Sequence, residues 1–129
     1  MAVQFHVAYS GLVSGVGVIG GGPYNCADGS LWRATHHCMH PDRFNPVPEV
    51  GYLVARTNAL AALGEIDHPS HLAVAKVWLF SGTQDTIVSQ SVMDTLAKYY
   101  EHYVTQGRIS YKHDLDAGHG MIVDDSTAE

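Results

Sequence analysis

The spacing of apolar residues changes several times along the chain, and each change predicts an element. From Val88 onward, Val92, Met93, Leu96, Ala97, Tyr99, Tyr100 and Tyr103 recur every three or four positions. That period predicts an amphipathic helix running to about Gln106. Immediately upstream, Val77-Trp78-Leu79-Phe80 is an unbroken apolar run, and it predicts a buried strand over Lys76–Phe80. Between strand and helix lies Ser81-Gly82-Thr83-Gln84-Asp85-Thr86-Ile87, a tight loop that offers one carboxylate. A second strand over Arg108–His113 leads into another loop, Asp116-Ala117-Gly118-His119-Gly120.

The first half of the chain reads in the same way. Apolar residues at Met1, Val3, Phe5, Val7 and Ala8 predict a helix to about Ser10, closed by Gly11. Val13–Ile19 is a β-branched, glycine-rich run stopped by Gly20-Gly21-Gly22-Pro23, which predicts a buried strand. Residues Tyr24 to Pro48 hold three of the five prolines and read as loop. Glu49 to about Gly64 is helical in pattern, with Val50, Leu53, Val54, Thr57, Leu60, Ala61 and Leu63 on the apolar side and Gly64 as the stop. Ile66 to Leu72 is a connector. The alternation of helices and strands predicts a single α/β domain over residues 1–129, with a mainly parallel sheet flanked by helices.

Composition narrows the classes. With 129 residues and 46% hydrophobic content the chain has room for one ordinary globular domain. A net charge of -6 argues against nucleic acid as a partner, because phosphate binding needs clustered Lys and Arg. No apolar run approaches the roughly 18 residues of a membrane helix, so no membrane partner is expected. The first ten residues lack the basic start of a signal peptide, and Gln4 and His6 interrupt their apolar residues.

Chemistry concentrates in the two loops after the later strands. A polar residue just past the carboxyl end of a buried strand is where open α/β sheets place their chemistry. Strand, Asp85, helix, strand and His119 follow the order of the back half of an α/β-hydrolase, in which serine, acid and histidine come in that sequence. His119 is then the general base and Asp85 the residue that fixes its tautomer. The plainer alternative for Asp85 is a cap on the helix that follows, and for His119 a simple loop residue. A nucleophile should precede both, yet no Gly-x-Ser-x-Gly occurs. In Gly11-Leu12-Val13-Ser14-Gly15 the register is wrong and Ser14 begins a strand, whereas Ser10 sits at a helix end.

Two other patterns weigh less. Gly15-Val16-Gly17-Val18-Ile19-Gly20 has the spacing of a dinucleotide fingerprint, but the glycines lie within a strand and no helix follows. A strand packed closely against neighbouring helices explains them better, and no cofactor is expected. Cys26, His36, His37, Cys38 and His40 are of the right chemical type for zinc, but their spacing fits no common module. A Cys26–Cys38 disulfide is the preferred reading if the protein works in an oxidising compartment; the cysteine count alone leaves bridged and free forms open.

Several stretches together resemble the poly(3-hydroxybutyrate) depolymerase-like esterases. They are Met1–Ser10, Gly21-Gly22-Pro23-Tyr24-Asn25-Cys26-Ala27, Cys38-Met39, Trp78–Val88 and Ala117-Gly118-His119. The resemblance runs from Met1 to about Met121. It implies an α/β-hydrolase that cleaves esters of short-chain 3-hydroxyacids through a Ser-Asp-His triad, with a polyester or short-chain ester as substrate. Asp85 and His119 fall on the acid and base, and Cys26 and Cys38 on a bridged pair. The family's serine lies in a Gly-Leu-Ser-Ser-Gly elbow a few residues before the counterpart of Met1, and its members tend to be exported.

The short chain, its abrupt apolar start and its polar close at Asp124–Glu129 predict a piece of a longer esterase, inactive by itself. A non-catalytic binding module on a degenerate hydrolase scaffold is the alternative. A metal protein using the His36–His40 cluster is a third. A sheet missing neighbouring strands would expose edges at Val13–Ile19 or Lys76–Phe80, so self-association of the chain is expected.

Overall fold

The computed structural model describes residues 1–122; the polar stretch 124–129 lies outside them. Eight elements follow in order. Helix α1 (Ala2–Ala8) leads to strand β1 (Gly15–Ile19), then to the short helix α2 (Leu31–His36) and helix α3 (Val50–Ala62). A 3₁₀ helix (Pro69–Val74), strand β2 (Lys76–Phe80), helix α4 (Gln90–Tyr103) and strand β3 (Ile109–Lys112) complete the described residues. The three strands form one parallel sheet in the order β1-β2-β3. This is the expected partial α/β-hydrolase architecture.

One face of the sheet makes the core. Val18 on β1 and Val77 and Leu79 on β2 point into it, against the buried side of α4, where Val92, Met93, Leu96, Tyr99 and Tyr100 are wholly enclosed. Helix α3 stacks on α4 through Leu53, Val54 and Thr57. The two large tyrosines keep their hydroxyls satisfied: Tyr99 bonds Thr57 Oγ1 at 2.8 Å and Tyr100 bonds His6 Nδ1 at 2.9 Å. Burial pushes both phenols well above their ordinary range, which keeps them neutral donors and acceptors.

His6 makes this core sensitive to acid. It is 1% exposed, and its Nε2 has no partner among the described residues. Burial lowers its pKa from the ordinary 6.5, so the folded chain binds a proton less readily than the unfolded one. Stability is therefore complete above that value and declines as the pH falls below it. Urea titrations between pH 8 and 5 are expected to show this decline, and a His6→Gln variant to show a shallower one. Equal slopes would remove His6 as the cause.

The structure revises several expectations. Residues 24–48 are not all loop: α2 forms there, with the Ser30 side chain accepting from Arg33 N–H at its start. The connector before β2 winds into a 3₁₀ helix begun by Pro69. Leu63, placed on the apolar side of α3, lies past its last turn and is exposed, and Met1 and Phe5 of the first helix are exposed too. Lys76–Phe80 is not an edge, since β2 pairs on both sides. Among the described residues the edges are β1 and β3.

The glycines of β1 do not face the helices as expected; at Gly15 a Cβ would instead lie 2.9 Å from the Lys76 carbonyl oxygen of β2. Gly15 and Gly17 lie in register with Lys76 and Trp78 on the face away from the helices. That face is open among the described residues, and Trp78 is 44% exposed on it.

Candidate functional site

Both predicted chemical residues sit beyond the carboxyl ends of adjacent parallel strands. Asp85 belongs to the loop between β2 and α4, and His119 to the loop after β3. The structure brings them together: His119 Nδ1 lies 2.9 Å from Asp85 Oδ2 and 3.2 Å from Oδ1. With Nδ1–H donating to the carboxylate, Nε2 remains as the basic nitrogen.

The capping reading of Asp85 also holds in part. Its Oδ1 accepts from the backbone N–H of Ile87 and of Val88, each at 2.9 Å. Helix α4 itself begins at Ser89 as N-cap, so Asp85 secures the turn before the helix. One carboxylate thus does two jobs. Its side chain is 2% exposed. Burial acts to raise its pKa, but the bonds from Val88 N–H, His119 and Ile87 N–H outweigh it and hold the carboxyl below the usual range. Asp85 is accordingly ionised and fixed in place near neutral pH.

The loops are stitched to each other through the backbone. Thr83 N–H donates to Leu115 O at 2.9 Å and Gln84 N–H to Ala117 O at 3.1 Å. Gly82 permits this approach, because a Cβ there would overlap the Ala117 carbonyl oxygen. Thr83 Oγ1 adds a bond to Asp116 Oδ1 at 3.3 Å.

A third wall comes from the turn after β1. Gly20 adopts φ +54, and a Cβ on it would fall 2.5 Å from His119 Cε1. Only a residue without a side chain leaves the imidazole this room. Gly21 N–H donates to the sulfur of Met93 on α4 at 3.0 Å, fixing the turn to the core. The turn also lines a cavity of about 380 Å³, bordered by the first residues of α1 and by Cys38 and Met39. Glycine-rich sequence after a strand is the only sequence signal of this wall, and it reads equally well as a simple strand stop.

Cys26 and Cys38 form a disulfide beside that cavity. The bridge leaves neither sulfur free to ligate zinc, and among the described residues no three His, Cys, Asp or Glu side chains are grouped to hold a metal ion. His36 instead stacks on Trp32, and His37 bonds Pro46 O. The glycines of Gly15–Gly20 run through β1 into a turn, not a helix, so the dinucleotide reading has no phosphate-binding helix start. No described helix is long and apolar enough to cross a membrane.

No protein-family profile matches the chain. Among curated proteins, the poly(3-hydroxybutyrate) depolymerase of Delftia acidovorans is 45% identical over 126 residues, which are 97% of this chain and 25% of that protein. The polyhydroxybutyrate depolymerase of Talaromyces funiculosus is 29% identical over 125 residues, 96% of this chain and 34% of that protein. A solved PHB depolymerase complexed with R3HB trimer superposes with TM-score 0.80 and 29% identity, covering 99% of this chain and 38% of its own. The PHB depolymerase from Penicillium funiculosum superposes at 0.78 with 28% identity, covering 97% and 37%. The chain spans 25% and 34% of the lengths of these two curated relatives. Its resemblance to the depolymerase-like esterases holds over nearly all its residues, in sequence and in fold.

Proposed function

We propose that this chain carries the acid and base of a serine esterase of the poly(3-hydroxybutyrate) depolymerase type, with the nucleophile supplied by a segment outside it. The observation that carries the reading is the 2.9 Å bond between His119 Nδ1 and Asp85 Oδ2 across two strand-end loops. Similarity to depolymerases over 97% of the chain supports the reaction class, and the substrate would be the polyester or its short 3-hydroxyacid oligomers.

The sheet has room for such a segment. Among the described residues strand β1 pairs on one side only, and α1 packs beside it with its first residues lining the cavity at Gly20. A parallel strand leading into α1 and pairing with the free edge of β1 would end beside this cavity, one glycine away from His119. A serine at that point would lose its proton to His119 Nε2 as it attacks the ester carbonyl. Asp85 would keep Nδ1 protonated and stabilise the imidazolium, and His119 would return the proton to the departing alcohol. The oxyanion donors would lie largely with the serine segment, so the 129-residue chain alone is expected not to turn over esters.

The test is to read the coding frame upstream of Met1 and assay the longer protein on hydroxybutyrate esters. A Gly-x-Ser-x-Gly elbow and a roughly 10⁴-fold loss of kcat in Asp85→Asn are expected. An in-frame stop without an elbow, or activity indifferent to Asp85→Asn, would overturn the reading. The disulfide suits an oxidising, exported location. By itself the chain should self-associate through the β1 edge and the open face around Trp78. Sedimentation showing only monomer at micromolar concentration would contradict this.

A further inference from the structure

The loop pair that holds Asp85 and His119 departs from the sheet in a way the sequence did not predict. Through the strands, β2 and β3 advance in step: Val77 N–H donates to Arg108 O and Ser81 N–H to Lys112 O, four residues on in both chains. The next rung is Thr83 N–H to Leu115 O. That is two residues further in one chain and three in the other. The β3 side has gained one residue, as in a β-bulge, at His113 and Asp114.

A slip of this kind deprives the Ser81 carbonyl of the Asp114 N–H that a continued ladder would have brought to it, and sets the His113 carbonyl within reach of the same donor group. The Gln90 side chain takes both. Its Nε2, with two hydrogens, donates to His113 O at 2.7 Å and to Ser81 O at 3.3 Å. Gln90 is the first residue of α4, so the bond ties the slipped segment to the most deeply packed helix of the core. Ser81 is fully buried, and its carbonyl would be costly to leave unpaired.

We infer that Gln90 is a positioning residue for the Asp85–His119 pair, locking the one-residue slip that sets His119 at bonding distance from the carboxylate. The inference rests on the proposed acid–base role of that pair. One residue of register corresponds to about 3.3 Å of extended chain. Relaxed by that amount, His119 could not reach Asp85. Only donors can do what Gln90 does here, since both groups it meets are carbonyl oxygens.

Three variants separate this role from support of the helix. Gln90→Met removes the donors. Gln90→Glu also removes them, but places a negative charge in the first turn of α4, where it favours the helix. Gln90→Lys keeps donors on a side chain long enough to reach both carbonyls. In the 129-residue chain, hydrogen exchange at the Thr83 and Gln84 amides is expected to speed up about tenfold in Gln90→Met and Gln90→Glu. The low-field proton resonance of the His119 Nδ1–H bond should disappear in both. Gln90→Glu should keep the native melting temperature, and Gln90→Lys should restore both signals.

Exchange rates within twofold of native in Gln90→Met and Gln90→Glu would overturn the inference. So would a fall in melting temperature that is equal in Met and Glu variants and accounts for all the added exchange. If the unmodified chain lacks the low-field resonance, it is the acid–base reading that falls. The Thr83 and Gln84 exchange rates then still decide whether Gln90 locks the register.

Discussion

Replacing Gly82 with alanine is expected to uncouple His119 from Asp85 while leaving the sheet folded. Gly82 is the second residue past the end of β2, and the added Cβ would overlap the Ala117 carbonyl oxygen, lie 2.6 Å from Ala117 C and 3.1 Å from Gly118 O. All three are backbone atoms, which cannot rotate out of the way as a side-chain tip could. The histidine loop has to retreat. The first bond lost is Gln84 N–H to Ala117 O, and His119 is only two residues further along. The three atoms nearest the new methyl all belong to the histidine loop, so the global cost should be that of overpacking, about 1–3 kcal/mol. The local cost is larger. In a longer protein with its serine in place, kcat should fall by about 10³–10⁴-fold, as when the imidazole loses its orienting carboxylate. A variant with native kcat would show that the loop approach is dispensable.

Opening the Cys26–Cys38 bridge should have the largest effect on stability. The two residues are 12 apart in sequence, and the chain-entropy model gives about 3 kcal/mol for closing a loop of that size. For a domain of this length that corresponds to a drop of roughly 10 °C in melting temperature. The effect should also reach the site. Met39, next to Cys38, accepts a hydrogen bond from Ser89 N–H at the start of α4, and Cys38 packs against Gly22. Melting with and without reductant, and of a Cys26→Ala/Cys38→Ala double variant, checks this. A melting temperature unchanged on reduction would mean that Arg56, which bonds Asp28 at 2.8 Å, and the Gln4 contacts to the same turn hold the segment without the bridge.

How far the sequence foretold this arrangement depends on whether the signal was local. The strand at Lys76–Phe80 emerges with the expected bounds, because an unbroken apolar run beside a glycine admits few alternatives. The apolar stripe of α4 is buried as its spacing requires, from Val92 to Tyr100. Helix α2 escaped because it is six residues long and lies among prolines and histidines, too short for periodicity to register. The nearness of Asp85 and His119 was legible only from their order after successive strands. Gly20 and Gln90 carry no such mark. Their parts arise from a turn and a register slip that exist only once three strands are assembled, and no pattern within their own segments encodes them.

The open face of the sheet gives the molecule a built-in optical gauge. Of its two tryptophans, Trp78 stands half-exposed on that bare surface, while Trp32 is stacked on His36 in the disulfide-bounded segment. An element or second molecule that covers that face removes water from the Trp78 indole. Emission from Trp78 would then move toward the blue. Assembly of the full sheet can therefore be followed in solution by fluorescence, without adding a label.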